Sequence, residues 1–416
     1  MNHAYSAPRP SNQQLAIVLV GLPARGKSYI GRKIARYLAW LGWSTRVFNV
    51  GAYRRSRLQG NQREDFFSPD NPDGLKLREQ MAMAAMDDLL QWMSAGGEVA
   101  IYDATNNTKA RRKLIRQRLQ EADIQPLFIE SVTEDMSLVE ANIRETKISS
   151  PDYAGADPDE AVADFRARLA HYERTYEPLG GDESSYLKYI DVGRRIEVEG
   201  ISGYLPGKIL FFLMNTHLER RPIWLTRHGE SMFNVTGRIG GDAPLSPNGR
   251  RYARLLADFM RERLADTDPV VFTSTLQRTR ATAAPMGRET RPWRLLDEID
   301  AGICDGMTYE EIAERLPDEY DARQADKLNY RYPRGESYVD VIHRLEPVLL
   351  EIERRRRPVV VVAHQAVIRA LYGYFKDLAP ADCPHLPVPL HTVIELQQGP
   401  YGLVERRYPI LDEVGR

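Results

Sequence analysis

Arg227, His228 and Gly229 follow the apolar pair Trp224-Leu225, so an arginine and a histidine stand where a short strand gives out. A planar guanidinium can hold phosphate oxygens in its fork, and a neutral imidazole beside it can attack phosphorus. The glycine lets backbone approach a ligand. By itself the stretch Arg227–Glu230 reads equally well as a core histidine beside a surface arginine. The same half of the chain then adds His364, at the end of the apolar run Pro358–Ala363, and a carboxylate, Glu298. Asn234, the glycine-rich loop Gly237–Asp242 and Arg278, one turn past the strand Val270–Thr273, complete a cationic set suited to phosphate. The run Arg354–Arg357 reads differently, as the solvated end of a helix over Ser337–Glu353 where cations complement the dipole.

The first half carries a different phosphate device. Gly21-Leu-Pro-Ala-Arg-Gly26-Lys27-Ser28 fits GxxxxGK[ST], preceded by the apolar strand Leu15–Val20 and followed by a helix over Tyr29–Trp40. Glycines let successive backbone N–H groups curl round phosphate, and the helix N-terminus adds its dipole. Lys27 can then reach the β- and γ-phosphates and Ser28 can ligate magnesium. Asp103 ends the strand Glu98–Tyr102, where it could order magnesium or accept the proton of an attacking hydroxyl; a turn or capping role is the alternative. Arg54, Arg55, Arg78, Arg194 and Arg195 stand at strand ends or helix starts, which points to an anionic phosphoryl acceptor without choosing one.

These residues need rigid elements behind them. Strands over Leu15–Val20, Thr45–Asn49, Glu98–Tyr102 and Pro126–Ser131 alternate with helices over Tyr29–Trp40, Gly74–Ala95 and Thr108–Glu121. That is an α/β, doubly wound parallel layout with ligands at the C-terminal ends of the strands. After a helix over Gly203–His217, Pro222 disfavours helix at Arg221 and a new strand, Ile223–Thr226, begins. The expected domains are therefore 1–220 and 221–416, packed together because no Gly/Ser linker separates them.

A chain of 416 residues exceeds one ordinary core, and 43% hydrophobic with 28% charged residues is a globular balance. A net charge of -1 favours neither nucleic acid nor a membrane surface as partner. Cys304 and Cys383 are too few for a disulfide framework or a cysteine zinc site. No apolar run approaches the roughly 20 residues that span a bilayer, and the first residues lack a signal-peptide core. A cytoplasmic enzyme is the expectation.

In order along the chain, GLPARGKS, FNVGAYRR, DATNNT, KISSPDY and DVGRR resemble the kinase half of the bifunctional 6-phosphofructo-2-kinase/fructose-2,6-bisphosphatase family. LTRHGES, RIGGD, NYRYPRGESY, AHQAVIR and PLHTV resemble its bisphosphatase half, of the histidine phosphatase (phosphoglycerate-mutase-like) fold. The resemblance implies an adenylate-kinase-like P-loop domain that moves the ATP γ-phosphoryl to the 2-hydroxyl of fructose 6-phosphate. It also implies a second domain that hydrolyses fructose 2,6-bisphosphate through a phosphohistidine. In the kinase half it assigns ATP and magnesium to Gly21, Gly26, Lys27 and Ser28, the reacting groups to Asp103 and Lys147, and the base to Asn142. Arg55, Arg78, Thr105, Tyr176 and Arg195 would hold the sugar phosphate.

In the phosphatase half the resemblance makes His228 the nucleophile and Glu298 the acid–base group, with Arg227, Asn234, Gly240, Arg278 and His364 around the 2-phosphate. It gives the 6-phosphate to Tyr309, Arg323, Lys327, Tyr338, Gln365 and Arg369, although Arg323 and Lys327 alone read as a solvated helical stripe. No cofactor is expected there, and a homodimer is the assembly it favours. ATNNT stands where the family usually has ATNTT, and phosphorylated regulatory extensions are not expected. Another sugar phosphate as acceptor, or a nucleotide-binding scaffold with vestigial sites, are the competing readings.

Overall fold

The structure, a computed structural model, describes residues 14–58, 64–144, 151–153, 157–181, 183, 185–217, 221–399 and 402–411. The chain forms two compact units, one ending at His217 and the other following it.

The first unit is built on six strands: β1 (Leu15–Val20), β2 (Thr45–Asn49), β3 (Val99–Asp103), β4 (Gln125–Val132), β5 (Tyr186–Ile190) and β6 (Arg195–Glu199). They lie in the order β2-β3-β1-β4-β5-β6, parallel except for β6, which returns antiparallel along β5. Every residue of LAIVLV in β1 is buried, as a central strand flanked by two parallel neighbours requires. Register places Leu19 beside Asp103, so the loop leaving β1 starts next to the carboxylate ending β3. Strands β5 and β6 and two helices go beyond the sequence expectation. Helix Val50–Arg57 starts directly after β2, because Asn49 caps it by accepting the Ala52 N–H at 2.8 Å. Helix Pro158–Glu173 is capped by Asp157 and buries Val162, Phe165 and Leu169.

The second unit also holds six strands: β7 (Pro222–Arg227), β8 (Val270–Thr273), β9 (Thr290–Pro292), β10 (Val359–Ala363), β11 (Thr392–Gly399) and β12 (Gly402–Pro409). Their order is β12-β11-β7-β10-β8-β9; β7, β10, β8 and β9 run parallel, and the β11–β12 hairpin closes one edge antiparallel. Val359–Ala363 is buried throughout. Ala363 pairs with Arg227 in register, and the His228 N–H reaches Ala363 O at 3.0 Å. Adjacent parallel strands therefore release His228 and His364 at one level of the sheet edge. The helix expected over Ser337–Glu353 spans Tyr338–Arg354, with Ser337 and Asp340 forming a capping box.

Candidate active sites

In the first unit, Gly21 and Gly26 both adopt positive φ, 129° and 85°. A Cβ on Gly21 would sit 2.6 Å from Ser131 O, so only glycine lets β1 turn against β4 here. The loop is pinned from three sides: Gly21 N–H donates to Thr105 O at 3.0 Å, Ser131 donates its hydroxyl to Arg25 O, and Asn142 donates to Ala24 O at 3.1 Å. Lys27 folds back to donate to Leu22 O at 2.5 Å. Helix Lys27–Trp40 has Gly26 at its cap with no side-chain acceptor, so its first N–H groups face the loop's concavity. Asp103 is 4% exposed and accepts from Asn49 Nδ2 at 2.5 Å. Asn49 thus joins the carboxylate to the helix that carries Arg54 and Arg55.

Magnesium fits these donors. Ser28 and Asp103 offer the oxygen ligands a hard cation takes, and no group of three His, Cys, Asp or Glu among the described residues forms a cage. A small cation completed by substrate phosphates is the kind such a sparse set holds.

A cationic cluster lies beside helix Val50–Arg57. Asp152 receives Arg54 at 2.5 Å, Arg168 at 3.4 Å and Arg55 at 4.0 Å, leaving positive charge in excess. Arg168 lies over the Phe67 ring at 3.6 Å and Arg54 over it at 5.2 Å. Burial, and then Arg168, hold the Arg54 guanidinium below its ordinary pKa, which is the environment an incoming anion relieves. Arg168 and Phe67 were not singled out from sequence. The available signal was an arginine one turn from the buried Phe165 on an amphipathic helix.

The other expected acceptor residues are placed differently. Arg78 gives its guanidinium to three carbonyls, Phe67 O at 2.9 Å, Ser68 O at 3.2 Å and Gly74 O at 3.2 Å, and so holds the turn bearing Phe67. Tyr176 turns its hydroxyl onto Glu130, which is buried in β4; burial and Glu130 push the phenol far above its usual pKa. That hydroxyl is committed within the fold, whereas Tyr172 stands 6.1 Å from Phe67, beside the arginine cluster. Arg195 is exposed and paired with Glu197 at 3.4 Å and Glu134 at 3.6 Å. Lys147 lies outside the described residues.

In the second unit, His228 is 3% exposed. Its Nδ1 lies 2.7 Å from Gly229 O, an acceptor, so Nδ1 carries the hydrogen. Arg278 donates Nε–H to His228 Nε2 at 3.2 Å, so Nε2 presents its lone pair. Burial, then Arg278 and Arg227, hold the imidazole pKa well below its ordinary value. The ring is therefore neutral, with Nε2 the unprotonated nitrogen and the Arg278 guanidinium beside it. His364 is fully buried, its ring centroid 5.1 Å from that of His228. Its Nε2 pairs with Ser274 Oγ at 2.8 Å, while Nδ1 is buried without a hydrogen-bond partner among the described residues. An orphaned nitrogen in the ring next to His228 is a place for a ligand oxygen.

Arg278, 4% exposed, also donates Nη1 to Gly241 O at 2.6 Å, and Gly241 N–H donates to Asp305 Oδ1 at 2.8 Å. A Cβ on Gly240, where φ is 70°, would fall 1.6 Å from that carboxylate oxygen, which fixes glycine in the wrapping loop. Arg227 reaches Val388 O at 3.1 Å. Asn234 spends its Oδ1 on the Ser231 cap, leaving its amide N–H groups for a ligand. Glu298 Oε1 accepts the Ile299 N–H at 3.0 Å and the Ala366 N–H at 3.3 Å, which anchors the carboxyl at the start of the helix following His364. Gln365 is the first residue of that helix.

The stripe Arg323–Lys327 is not simply solvated. Burial, Arg323 and Arg369 together depress the Lys327 ammonium, so three cations share one electrostatic neighbourhood. Arg323 donates to Tyr309 Oη at 3.0 Å, and Arg369 donates to Tyr338 Oη at 3.2 Å. Tyr332, missed from sequence, has Arg323 over its ring at 6.0 Å. Burial raises the Tyr338 phenol despite Arg369, and Glu298 raises it further, which links this cation group to the carboxyl. Glu298 also acts on Arg278, so its carboxyl lies within electrostatic range of both the histidine–arginine group and the lysine–arginine–tyrosine group.

These two constructions define a P-loop phosphotransferase unit joined to a histidine phosphatase unit. The sequence matches the 6-phosphofructo-2-kinase family over residues 2–220 and the histidine phosphatase superfamily (branch 1) over residues 223–409. It is 52% identical over 408 residues to an Arabidopsis thaliana 6-phosphofructo-2-kinase/fructose-2,6-bisphosphatase, covering 96% of this chain and 54% of that protein. It is 47% identical to the Gallus gallus protein of the same name over 403 residues, covering 95% of this chain and 85% of that one. The chain belongs to the 6-phosphofructo-2-kinase/fructose-2,6-bisphosphatase family.

Proposed function

We infer that the chain is a bifunctional enzyme that makes fructose 2,6-bisphosphate from ATP and fructose 6-phosphate and hydrolyses it back to fructose 6-phosphate and phosphate. In the first unit the P-loop N–H groups and Lys27 grip the ATP phosphates, with Gly21 and Gly26 giving the loop its curl. Ser28 and Asp103 would hold magnesium, which would neutralise phosphate charge. The Arg54–Arg55–Arg168 group takes the sugar's 6-phosphate, with Arg78 bracing Phe67. The 2-hydroxyl then forms its bond to the γ-phosphorus as the bond to ADP breaks, and Asp103 is placed to receive the hydroxyl proton. Asn142 stands at the loop on the nucleotide side, and Thr105 ties the loop to β3. Lys147 would neutralise charge on the transferring group.

In the second unit His228 Nε2 attacks the 2-phosphorus while Glu298 gives a proton to the departing 2-oxygen, so the P–O bond breaks as the P–N bond forms. Arg227, Arg278, Asn234 and His364 hold the equatorial oxygens, and the Gly240 loop closes over them. Arg323, Lys327, Arg369, Tyr309, Tyr338 and Gln365 take the 6-phosphate end. Water then attacks phosphohistidine and Glu298 takes its proton. Arginine and histidine supply the charge, and this unit is assigned no cofactor. No helix among the described residues is long and apolar enough to cross a membrane. We place the enzyme in the cytoplasm, as a homodimer.

The observation that carries the reading is the neutral His228 whose lone pair is fixed by Arg278, in a chain that also holds a P-loop. Incubation with ATP, magnesium and fructose 6-phosphate should give a sugar whose new phosphate is on carbon 2 by NMR. A different phosphate position, or no transfer, overturns the assignment.

A further inference from the structure

Helix Tyr338–Arg354 carries a half-buried arginine, Arg344, that the reaction above does not use. Its guanidinium is spent on one short stretch of backbone. Nη1 donates to Leu295 O, and Nη2 donates to Asp297 O at 2.7 Å and to Glu298 O at 3.2 Å. The other edge of the fork meets Glu336, with Nε on Oε1 at 2.7 Å and Nη2 on Oε2 at 3.1 Å. Glu336 closes the ring: its Oε2 accepts the Asp300 N–H at 3.0 Å, and its own N–H donates to Asp300 O at 2.9 Å. The stretch so gathered is a single helical turn, Arg294–Leu296, followed by residues with no regular ladder of their own. Its other anchors include the Trp293 N–H on Thr273 O at 2.8 Å, the Asp297 carboxylate, which receives the Thr275 N–H at 2.7 Å and the Thr275 hydroxyl at 2.8 Å, and the two N–H groups on Glu298 Oε1.

We propose that Arg344, backed by Glu336, is the positioning residue for the acid–base carboxyl of Glu298, fixing the backbone from which that carboxyl reaches the departing sugar oxygen. The proposal rests on the assignment of Glu298 as proton donor. Three carbonyls drawn onto one guanidinium hold the segment in a shape that its own hydrogen bonds do not dictate. With the arginine gone, those carbonyls lose their charge-assisted donors and the carboxyl is no longer held in line. A misplacement of about 1 Å is enough to cost about 10²-fold in a step that depends on alignment.

The consequence depends on the leaving group. The 2-oxygen of the sugar leaves as a poor alkoxide unless it is protonated as the P–O bond breaks. p-Nitrophenyl phosphate releases a stable phenolate and needs no proton, yet it uses the same His228 and the same arginines. Arg344→Met, Arg344→Lys and Glu336→Gln should therefore be compared with Glu298→Gln in the full chain on both substrates. Arg344→Met should lose about 100-fold in the first-turnover rate of phosphoenzyme formation from fructose 2,6-bisphosphate, yet stay within about threefold in the first-turnover burst of nitrophenolate from p-nitrophenyl phosphate. The first turnover is compared because the later hydrolysis of phosphohistidine, in which Glu298 also acts, is common to both substrates. Arg344→Lys and Glu336→Gln should show the same split, less steeply. The double variant Arg344→Met/Glu298→Gln should be no slower than Glu298→Gln alone, since both act through one carboxyl. Equal losses on the two substrates in all three variants would overturn the proposal, as would an Arg344→Met rate on the bisphosphate close to that of the unmodified enzyme. If Glu298→Gln itself shows no split, the assignment of Glu298 fails. If Glu298→Gln shows it and Arg344→Met does not, only the role of Arg344 fails.

Discussion

Replacing Arg278 with methionine removes two separable contributions to the phosphatase reaction. The first is binding of the transferring phosphoryl group, because the 4%-exposed guanidinium stands on His228 Nε2 at 3.2 Å and carries its charge where the phosphate must lie. Losing one such preorganised donor costs about 3 kcal/mol of transition-state stabilisation, a fall of about 10²-fold in kcat/KM. The second contribution is electrostatic. After burial, Arg278 is the largest cause holding the His228 pKa well below its ordinary 6.5. In the unmodified enzyme the nucleophile therefore stays unprotonated as pH falls through 6.5, whereas in Arg278→Met its pKa rises toward that value and the acid limb of the rate profile moves up. The assay is phosphate release from fructose 2,6-bisphosphate between pH 5 and 8, with ATP-dependent synthesis as the control that should not change. An Arg278→Met enzyme within about threefold of the unmodified rate, or one slowed with an unshifted acid limb, refutes the reasoning.

Arg168→Gln should raise KM for fructose 6-phosphate by about 10-fold or more while KM for ATP stays put, because Arg168 belongs to the cation group around Asp152 and not to the P-loop. Steady-state synthesis assays with each substrate varied in turn decide this. Gly240→Ala should weaken phosphatase activity and lower the melting temperature, since its Cβ would lie 1.6 Å from Asp305 Oδ1 at a φ of 70°; differential scanning calorimetry and phosphate release read the two effects. His228 and His364 are both held neutral in the folded unit, while the unfolded chain takes up protons near pH 6.5. Stability should therefore be fully present above pH 6.5. It should fall as pH drops below that, by up to about 1.4 kcal/mol per pH unit for each histidine until the folded pKa is reached. Denaturant midpoints at pH 7 and 5.5 should differ, and His364→Asn should show a smaller difference.

What could be read from sequence was whatever is local. The P-loop, Asp103 and the two histidines at strand ends each declare themselves within a few residues, because a strand's apolar run and the residue that follows it are contiguous. Residues that reach the site from a helix carry no such local signal. Arg323 and Lys327 look like a solvated stripe at i,i+4 spacing, and only the fold puts Arg369 beside them. Arg168 and Phe67 are brought together from segments about a hundred residues apart, and Arg344 donates to Glu298 O from a helix 46 residues further along the chain. Tyr176 is a further case: its hydroxyl meets Glu130, a buried carboxylate that no local pattern connects to it. The capping of helix Val50–Arg57 by Asn49 was also hidden, since the same asparagine ends a strand and orders Asp103.

The central claim is that one chain holds two separate phosphoryl sites, one of them charged covalently through His228. It is tested most directly by rapid-quench labelling with fructose 2,6-bisphosphate carrying radioactive phosphorus at carbon 2. The label should appear on the protein as an acid-labile, base-stable adduct that maps to the peptide containing His228. It should vanish in His228→Ala, while that variant still makes fructose 2,6-bisphosphate from ATP. Label that persists in His228→Ala, or a variant that loses synthesis together with labelling, contradicts the account.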